Sequence, residues 1–267
     1  MHSKAVILAA GQGTRLAPLT PSFPKELLPI GGFPAIHHVV YEMAELGVSE
    51  VLIVLSEGKE AVRDYFTKQP KAKGDTAMRL AERYEALLSR IDVSFVHQSQ
   101  PRGTGDAVLL AEGFMGNGDL IVAYPDDLIL LDGMGGCPPK SILSCEGKTV
   151  LLTRRIPRCE AEKYGVILPD AGSYGDMIQV RGIMEKPRDY PDTEALALVG
   201  RMRLTKECVR EISRHPLTDT YGITLALNAM AARGKVCATT LSGTIYDVGT
   251  HEGYMQAIRE ISKKIDY

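Results

Sequence analysis

Short apolar runs alternate along this chain with stretches in which apolar residues recur every three or four positions. That alternation is the signature of βαβ units wound around a mostly parallel sheet. Strands are predicted at Ala5–Ala9, Val51–Leu55, Val93–His97, Leu120–Ala123 and Thr149–Thr153. Between the first two, Pro34–Leu46 predicts a helix. Ile36, Val39, Val40 and Met43 share one face, Pro34 suits the first turn, and Gly47 suits the position after the end. A second helix is predicted over Thr76–Arg90, with Leu80, Tyr84, Leu87 and Leu88 as its apolar stripe, and a third follows Gly103–Gly105.

After about residue 150 the pattern changes. Strand-like pieces at Val166–Leu168, Met177–Glu185 and Ala197–Leu204 are separated by Gly, Asp and Pro turns, which predicts antiparallel structure added to the parallel core. Helices are expected again at Thr205–Arg214, Tyr221–Arg233 and His251–Lys264. No internal repeat or low-complexity linker interrupts the chain. The expected fold is therefore α/β: a Rossmann-like, mostly parallel mixed sheet flanked by helices, with an antiparallel addition in the C-terminal half. A single domain spanning residues 1–267 is expected, its first part reaching to about residue 150.

Composition narrows the function. Lys and Arg number 31 against 33 Asp and Glu, a formal net charge of -2, and no long basic run occurs. A nucleic-acid polymer is not the expected partner, because its binders carry a basic excess or stripe. Positive charge should instead be local, around a small phosphorylated ligand. Cys137, Cys145, Cys159, Cys208 and Cys237 are scattered without a CxxC pair, and the six histidines lack zinc spacing. Reduced cysteines in a cytoplasmic protein are the expectation. The apolar run Ala5–Ala10 is too short to cross a bilayer, so no membrane association is expected.

The densest chemistry lies in AVILAAGQGTRLAPLTPSFPKELLPIGG, Ala5 to Gly32. A buried strand ends, and Gly11 and Gly13 allow backbone conformations in which successive N–H groups point at an anion. Thr14 can donate a hydroxyl, and Arg15 brings a guanidinium suited to forked contact with phosphate oxygens. Lys25, between Pro24 and Glu26, adds a compact positive charge. A dinucleotide fingerprint would need a third glycine where Leu16 stands, and no GxxxxGK followed by Ser or Thr occurs.

Further segments carry polar groups to strand ends. In HQSQPRGTGDAV, Gln98 offers the donor and acceptor that a pyrimidine edge requires, and Gly103 would let backbone approach a flat ring. AYPDDLIL places Asp126 and Asp127 at the carboxyl end of an apolar strand, the edge where open α/β sheets bind ligands. A carboxylate there can hold Mg²⁺, which takes few protein oxygens and leaves the rest to phosphates and water. Asp247 follows in IYDVGT. In KYGVI and IMEKP, Gly165 permits close approach to a hexose, Glu185 can accept from two hydroxyls, and Lys186 can neutralise a sugar phosphate.

The run GxGTRL…PLT…PKELLPI resembles the opening signature of the sugar-1-phosphate nucleotidyltransferases. The likeness continues in order across nearly the whole chain and is strongest to the bacterial UTP–glucose-1-phosphate uridylyltransferases. The resemblance implies a nucleoside triphosphate (UTP or dTTP), a sugar 1-phosphate and Mg²⁺ as partners, and a homo-oligomer. It assigns the nucleotide to Ala10, Gly11, Gly13, Thr14, Arg15, Gln98 and Gly103, and the sugar phosphate to Gly165, Glu185 and Lys186. Arg15, Lys25, Asp126 and Lys186 become the catalytic groups, and Asp126 and Asp247 the metal ligands. One stretch departs: where the family carries Gly-Glu-Ile-Gln-Leu-Thr-Asp, this chain reads TDTYGITL from Thr218 to Leu225. The sugar-gripping Glu falls on Thr220, with Asp219 as a neighbouring carboxylate, and the final Asp falls on Leu225. A dTTP-dependent enzyme, or a non-catalytic sensor on the same fold, remain open at this point.

Overall fold

The computed structural model describes residues 3–130, 140–171, 176–217 and 222–261. Cys137, Asp219, Thr220, Tyr221 and the end of the helix predicted to reach Lys264 lie outside them. The chain opens with β1 (Ser3–Ala9), β2 (Pro29–Ile30), β3 (Phe33–Pro34), α1 (Ala35–Glu45) and β4 (Val48–Leu55). Next come α2 (Glu60–Thr67), α3 (Asp75–Leu88), β5 (Asp92–His97), α4 (Gly103–Leu109), α5 (Glu112–Met115), β6 (Leu120–Ala123) and β7 (Asp127–Leu130). The remainder forms β8 (Thr149–Pro157), β9 (Gly165–Pro169), β10 (Met177–Glu185) and β11 (Glu194–Leu204). It ends with α6 (Lys206–Ile212), α7 (Gly222–Ala232), β12 (Val236–Thr240), β13 (Thr244–Asp247) and α8 (His251–Ile261).

These elements form two compact units. The first takes its described residues from 3–101, 124–130 and 243–261; the second from 102–123 and from the described part of 138–242. In the first unit β1, β4 and β5 run parallel, with Ala9 opposite Leu55 and Leu55 opposite His97. Their carboxyl ends therefore finish level, on one edge. Ala5, Val6 and Ile7 of β1 and Ile36, Val39, Val40 and Met43 of α1 are fully buried, as the apolar spacing of both segments predicts. Pro34 lies just outside α1 rather than in its first turn. Its extended backbone (ψ 155°) pairs with Pro29 across β2 and β3.

In the second unit β11 pairs antiparallel with β6, β8 and β9, and β10 pairs antiparallel with β9 and β12. The expected antiparallel addition is present, with one difference: β8 is parallel to β12 and antiparallel to β11. Because β9 meets both β10 and β11, five strands form a closed circuit. The eleven-residue β11 serves two sets of neighbours by shifting register between Leu198 and Met202. Ile156, Val166, Tyr190, Ala195 and Ala197 form a buried cluster with Tyr164 and Leu168 packed against it. No described helix is long and apolar enough to cross a membrane.

Asn228 of α7 fastens the strand that leads to Glu185. Its Oδ1 accepts from the Ile183 N–H at 2.7 Å and its Nδ2 donates to the Ile183 carbonyl at 3.0 Å. Asn228→Ala is expected to destabilise the protein by ~2 kcal/mol, the cost of two stranded backbone groups, seen as a lower urea midpoint with unchanged slope.

Candidate active site

The first unit carries the glycine loop. β1 ends at Ala9, and Gly13 sits in the left-handed region (φ 68°), where it starts a single 3-10 turn over Thr14–Leu16. A side chain there would be strained by φ alone, and its Cβ would stand 2.8 Å from Thr20 Cγ2. Thr20 locks this bend by donating its hydroxyl to the Gly13 carbonyl at 2.9 Å. Leu16 is buried and anchors the turn, while Gly11, Thr14 and Arg15 stay exposed. A cavity of about 460 Å³ opens against the loop, with Gln12, Thr14, Lys25, Ser56 and Lys59 in its wall.

Four charged residues from three distant parts of the chain meet beside this loop. Lys25 Nζ lies 2.5 Å from Asp126 Oδ2, and only 12% of the lysine and 15% of the aspartate side chain reach solvent. Arg15 spans the two acids, with Nη1 at 2.7 Å from Asp247 Oδ2 and Nη2 at 3.8 Å from Asp126 Oδ2. The acids are brought together by β7 and β13, which pair antiparallel with Asp247 opposite Asp127. The Val248 N–H donates to the Asp126 carbonyl at 2.8 Å, and the Gly249 N–H to Asp247 Oδ1 at 3.0 Å.

Burial alone would push the Lys25 pKa down, but the Asp126 charge, with Glu26, outweighs it and the net shift is upward. Burial would likewise raise the Asp126 carboxyl. The Lys25 ammonium, its hydrogen bond and Arg15 hold it below the usual carboxylate range instead. Asp126 is thus ionised at neutral pH. Its contribution to stability is present above an unfolded pKa of ~3.9 and is lost as pH falls through the lower folded value.

Gly249 shows how closely the charges converge. A Cβ there would lie 2.7 Å from Asp126 Oδ2, 2.9 Å from Arg15 Nη2 and 2.9 Å from Asp247 Oδ1. Two carboxylate oxygens of hard, anionic character therefore border one small space, a donor set that suits Mg²⁺. Among the described residues no group of three His, Cys, Asp or Glu side chains is placed to hold a metal. A cation here would take its remaining ligands from phosphate and water.

Other predicted residues lie elsewhere. Gln98 follows β5 on the same sheet edge as the loop; it is buried, and its N–H donates to the Leu55 carbonyl at 2.8 Å. Gly103 (φ 83°) opens α4 in the second unit. Gly165, Glu185 and Lys186 also belong to the second unit and form a group of their own. A Cβ on Gly165 would stand 3.2 Å from Glu185 Oε2 and 3.0 Å from Leu198 Cδ1, so glycine makes room for the carboxylate. Lys186 is exposed and holds a left-handed backbone (φ 46°), fixed by its N–H donating to the Tyr164 carbonyl at 3.1 Å. Thr224 of α7, which sequence reasoning did not assign, donates its hydroxyl to Glu185 Oε2 at 3.3 Å.

Sequence reasoning also missed Lys59. It is buried just before α2, and its Nζ lies 2.6 Å from the Ala9 carbonyl, 2.6 Å from the Gly11 carbonyl and 2.7 Å from Glu26 Oε1. Desolvation lowers the Lys59 pKa and raises that of Glu26, each partly offset by the other. A lysine four residues after the buried run Val51–Leu55, past the ligand-binding edge of the sheet, was the available signal.

The sequence pattern that defines the nucleotidyl transferase family matches residues 4–264. The chain belongs to that family. A UTP–glucose-1-phosphate uridylyltransferase of Streptococcus pyogenes is 32% identical over 95% of this chain and 86% of its own length. One of Staphylococcus epidermidis is 31% identical over 98% and 92%. Among solved structures, a UDP-glucose pyrophosphorylase complexed with UDP-glucose matches this nucleotidyl transferase with a TM-score of 0.85 and 29% identity, covering 99% of this chain and 100% of that one. A UTP-bound enzyme of the same kind from Acinetobacter baumannii gives a TM-score of 0.80 at 25% identity, covering 99% and 97%.

Gly249→Ala tests the convergence in this family member. The atoms in its way are the ends of flexible side chains, so the fold should survive while the charged groups are displaced. Turnover is expected to fall by about a hundredfold with the melting temperature nearly unchanged; turnover close to the parent's would contradict the geometry.

Proposed function

We propose that this nucleotidyl transferase catalyses the reaction of UTP with glucose 1-phosphate to give UDP-glucose and pyrophosphate. The observation that carries the reading is the meeting of Lys25, Arg15, Asp126 and Asp247 beside the glycine loop, in a chain aligned end to end with UTP–glucose-1-phosphate uridylyltransferases. A phosphate oxygen of the sugar phosphate attacks the α-phosphorus of UTP, the bond from that phosphorus to the bridging oxygen breaks, and pyrophosphate leaves. The nucleophile is already an anion, so no general base is required. The difficulty is repulsion between two polyanions and their alignment.

Arg15 and Lys25 meet the charge on the triphosphate. They are ion-paired to Asp247 and Asp126, which holds both cations beside the glycine loop. Asp126 and Asp247 would hold Mg²⁺, which when bound supplies further neutralisation of the phosphate charge. Gln98 takes the base, and uracil and thymine present it the same hydrogen-bonding edge. Lys186 receives the sugar phosphate, and Glu185 beside Gly165 accepts from hexose hydroxyls.

The test is pyrophosphate release over a panel of nucleoside triphosphates and sugar 1-phosphates with Mg²⁺. The expected productive pair is UTP with glucose 1-phosphate. A preference for dTTP would move the assignment to thymidylyl transfer, and no release from any pair would end the enzymatic reading. Lys25→Ala and Asp126→Asn should each lower turnover by about a hundredfold, the scale seen when one transition-state charge contact is removed. Arg15 stays near Asp126 in the lysine variant, which keeps that carboxylate from being stranded. Thr224→Val should raise KM for glucose 1-phosphate roughly fivefold with little change in kcat, the loss of about one hydrogen bond that orients Glu185.

A further inference from the structure

We infer that Lys59 is the positioning residue of the glycine loop: its ammonium fixes two peptide planes so that the loop is already shaped for a triphosphate before one arrives. The inference rests on the triphosphate reading above and extends it to a residue that touches no reacting atom.

A lysine ammonium has three N–H donors and no acceptor. At Lys59 there are three acceptors within 2.7 Å, namely the Ala9 and Gly11 carbonyls and Glu26 Oε1. All three donors are used, and the side chain is buried, so the head group is held in one place. Two of its acceptors are backbone carbonyls of alternate loop residues. In a trans peptide the carbonyl and the following N–H point in opposite directions. Turning the Ala9 and Gly11 carbonyls toward Lys59 therefore turns the Ala10 and Gln12 N–H groups away from it. Without such a clamp, a glycine-containing loop samples many orientations, and ordering it would be charged against binding.

Glu26 completes the device. It is buried, and its Oε1 holds the third donor of Lys59, while its neighbour Lys25 pairs with Asp126. The second Glu26 carboxylate oxygen is buried without a hydrogen-bond partner among the described residues. Glu26 Oε1 thus serves as the third acceptor that seats Lys59, and Lys59 acts on the loop that carries Arg15.

Triphosphate and uridine binding to the intact protein, measured by calorimetry and by ligand-observed NMR, separate positioning from general stability. Lys59→Met should weaken triphosphate binding by about tenfold or more and leave binding of uridine, which has no phosphate, unchanged. Glu26→Gln keeps an acceptor for Lys59 and should retain triphosphate affinity. Triphosphate affinity within twofold of the parent in Lys59→Met would overturn the proposal. So would equal loss of triphosphate and uridine binding, or a loss in Glu26→Gln as large as in Lys59→Met, because each marks a merely structural ion pair.

Lys59→Met strands the Glu26 charge, so the double variant Lys59→Met/Glu26→Gln is judged by the same criteria, and failure of both to fold would also overturn the proposal. If the parent binds a triphosphate other than UTP, or binds without turnover, the proposed reaction fails, and Lys59 is judged on whichever triphosphate binds. A parent that binds none defeats both.

Discussion

A carboxylate that is nearly out of water stays ionised only beside positive charge. Asp126 is such a carboxylate, and the arrangement of the first unit follows from satisfying it. Lys25 supplies the nearest charge, Arg15 the next, and Arg15 in turn needs Asp247. The four residues come from three distant stretches of chain, so the ion pairs cannot form until β1, β7 and β13 are in place.

The backbone that carries these groups is shaped by close packing as much as by charge. Gly13 bends the loop where a side chain would strike Thr20, and Gly249 leaves open the space bordered by both acids and Arg15. Lys59 and Glu26 form a second, more deeply buried pair, and the same lysine holds the Ala9 and Gly11 carbonyls.

Much of this was legible in the sequence because it is local. The apolar run of β1 and the periodic face of α1 follow from residue spacing, and the glycine loop with Arg15 and Lys25 follows from residue type. The pairing of β7 with β13 was not legible, since it joins segments more than a hundred residues apart through short strands of no distinctive composition. α2 was missed because its apolar face is only Val62 and Phe66, and β12 because VCATT offers few large apolar residues. β8 reads as one more apolar run whatever the direction of its neighbours, so its antiparallel partner was invisible. Lys59 and Thr224 act through other residues; the place of Lys59 just past β4 is its one cue, and Thr224 has none.

The closed circuit of β8 to β12 has a consequence for how the second unit can vary. Ile167 of β9 pairs with Ile183 on one side and Leu196 on the other. A one-residue slip of β9 would break both ladders and turn every side chain to the wrong face. No neighbour could absorb the error, because the ring returns to its starting strand. Insertions are consequently confined to the turns, and the left-handed step at Lys186, one residue past β10, inherits a fixed origin from which its side chain is aimed.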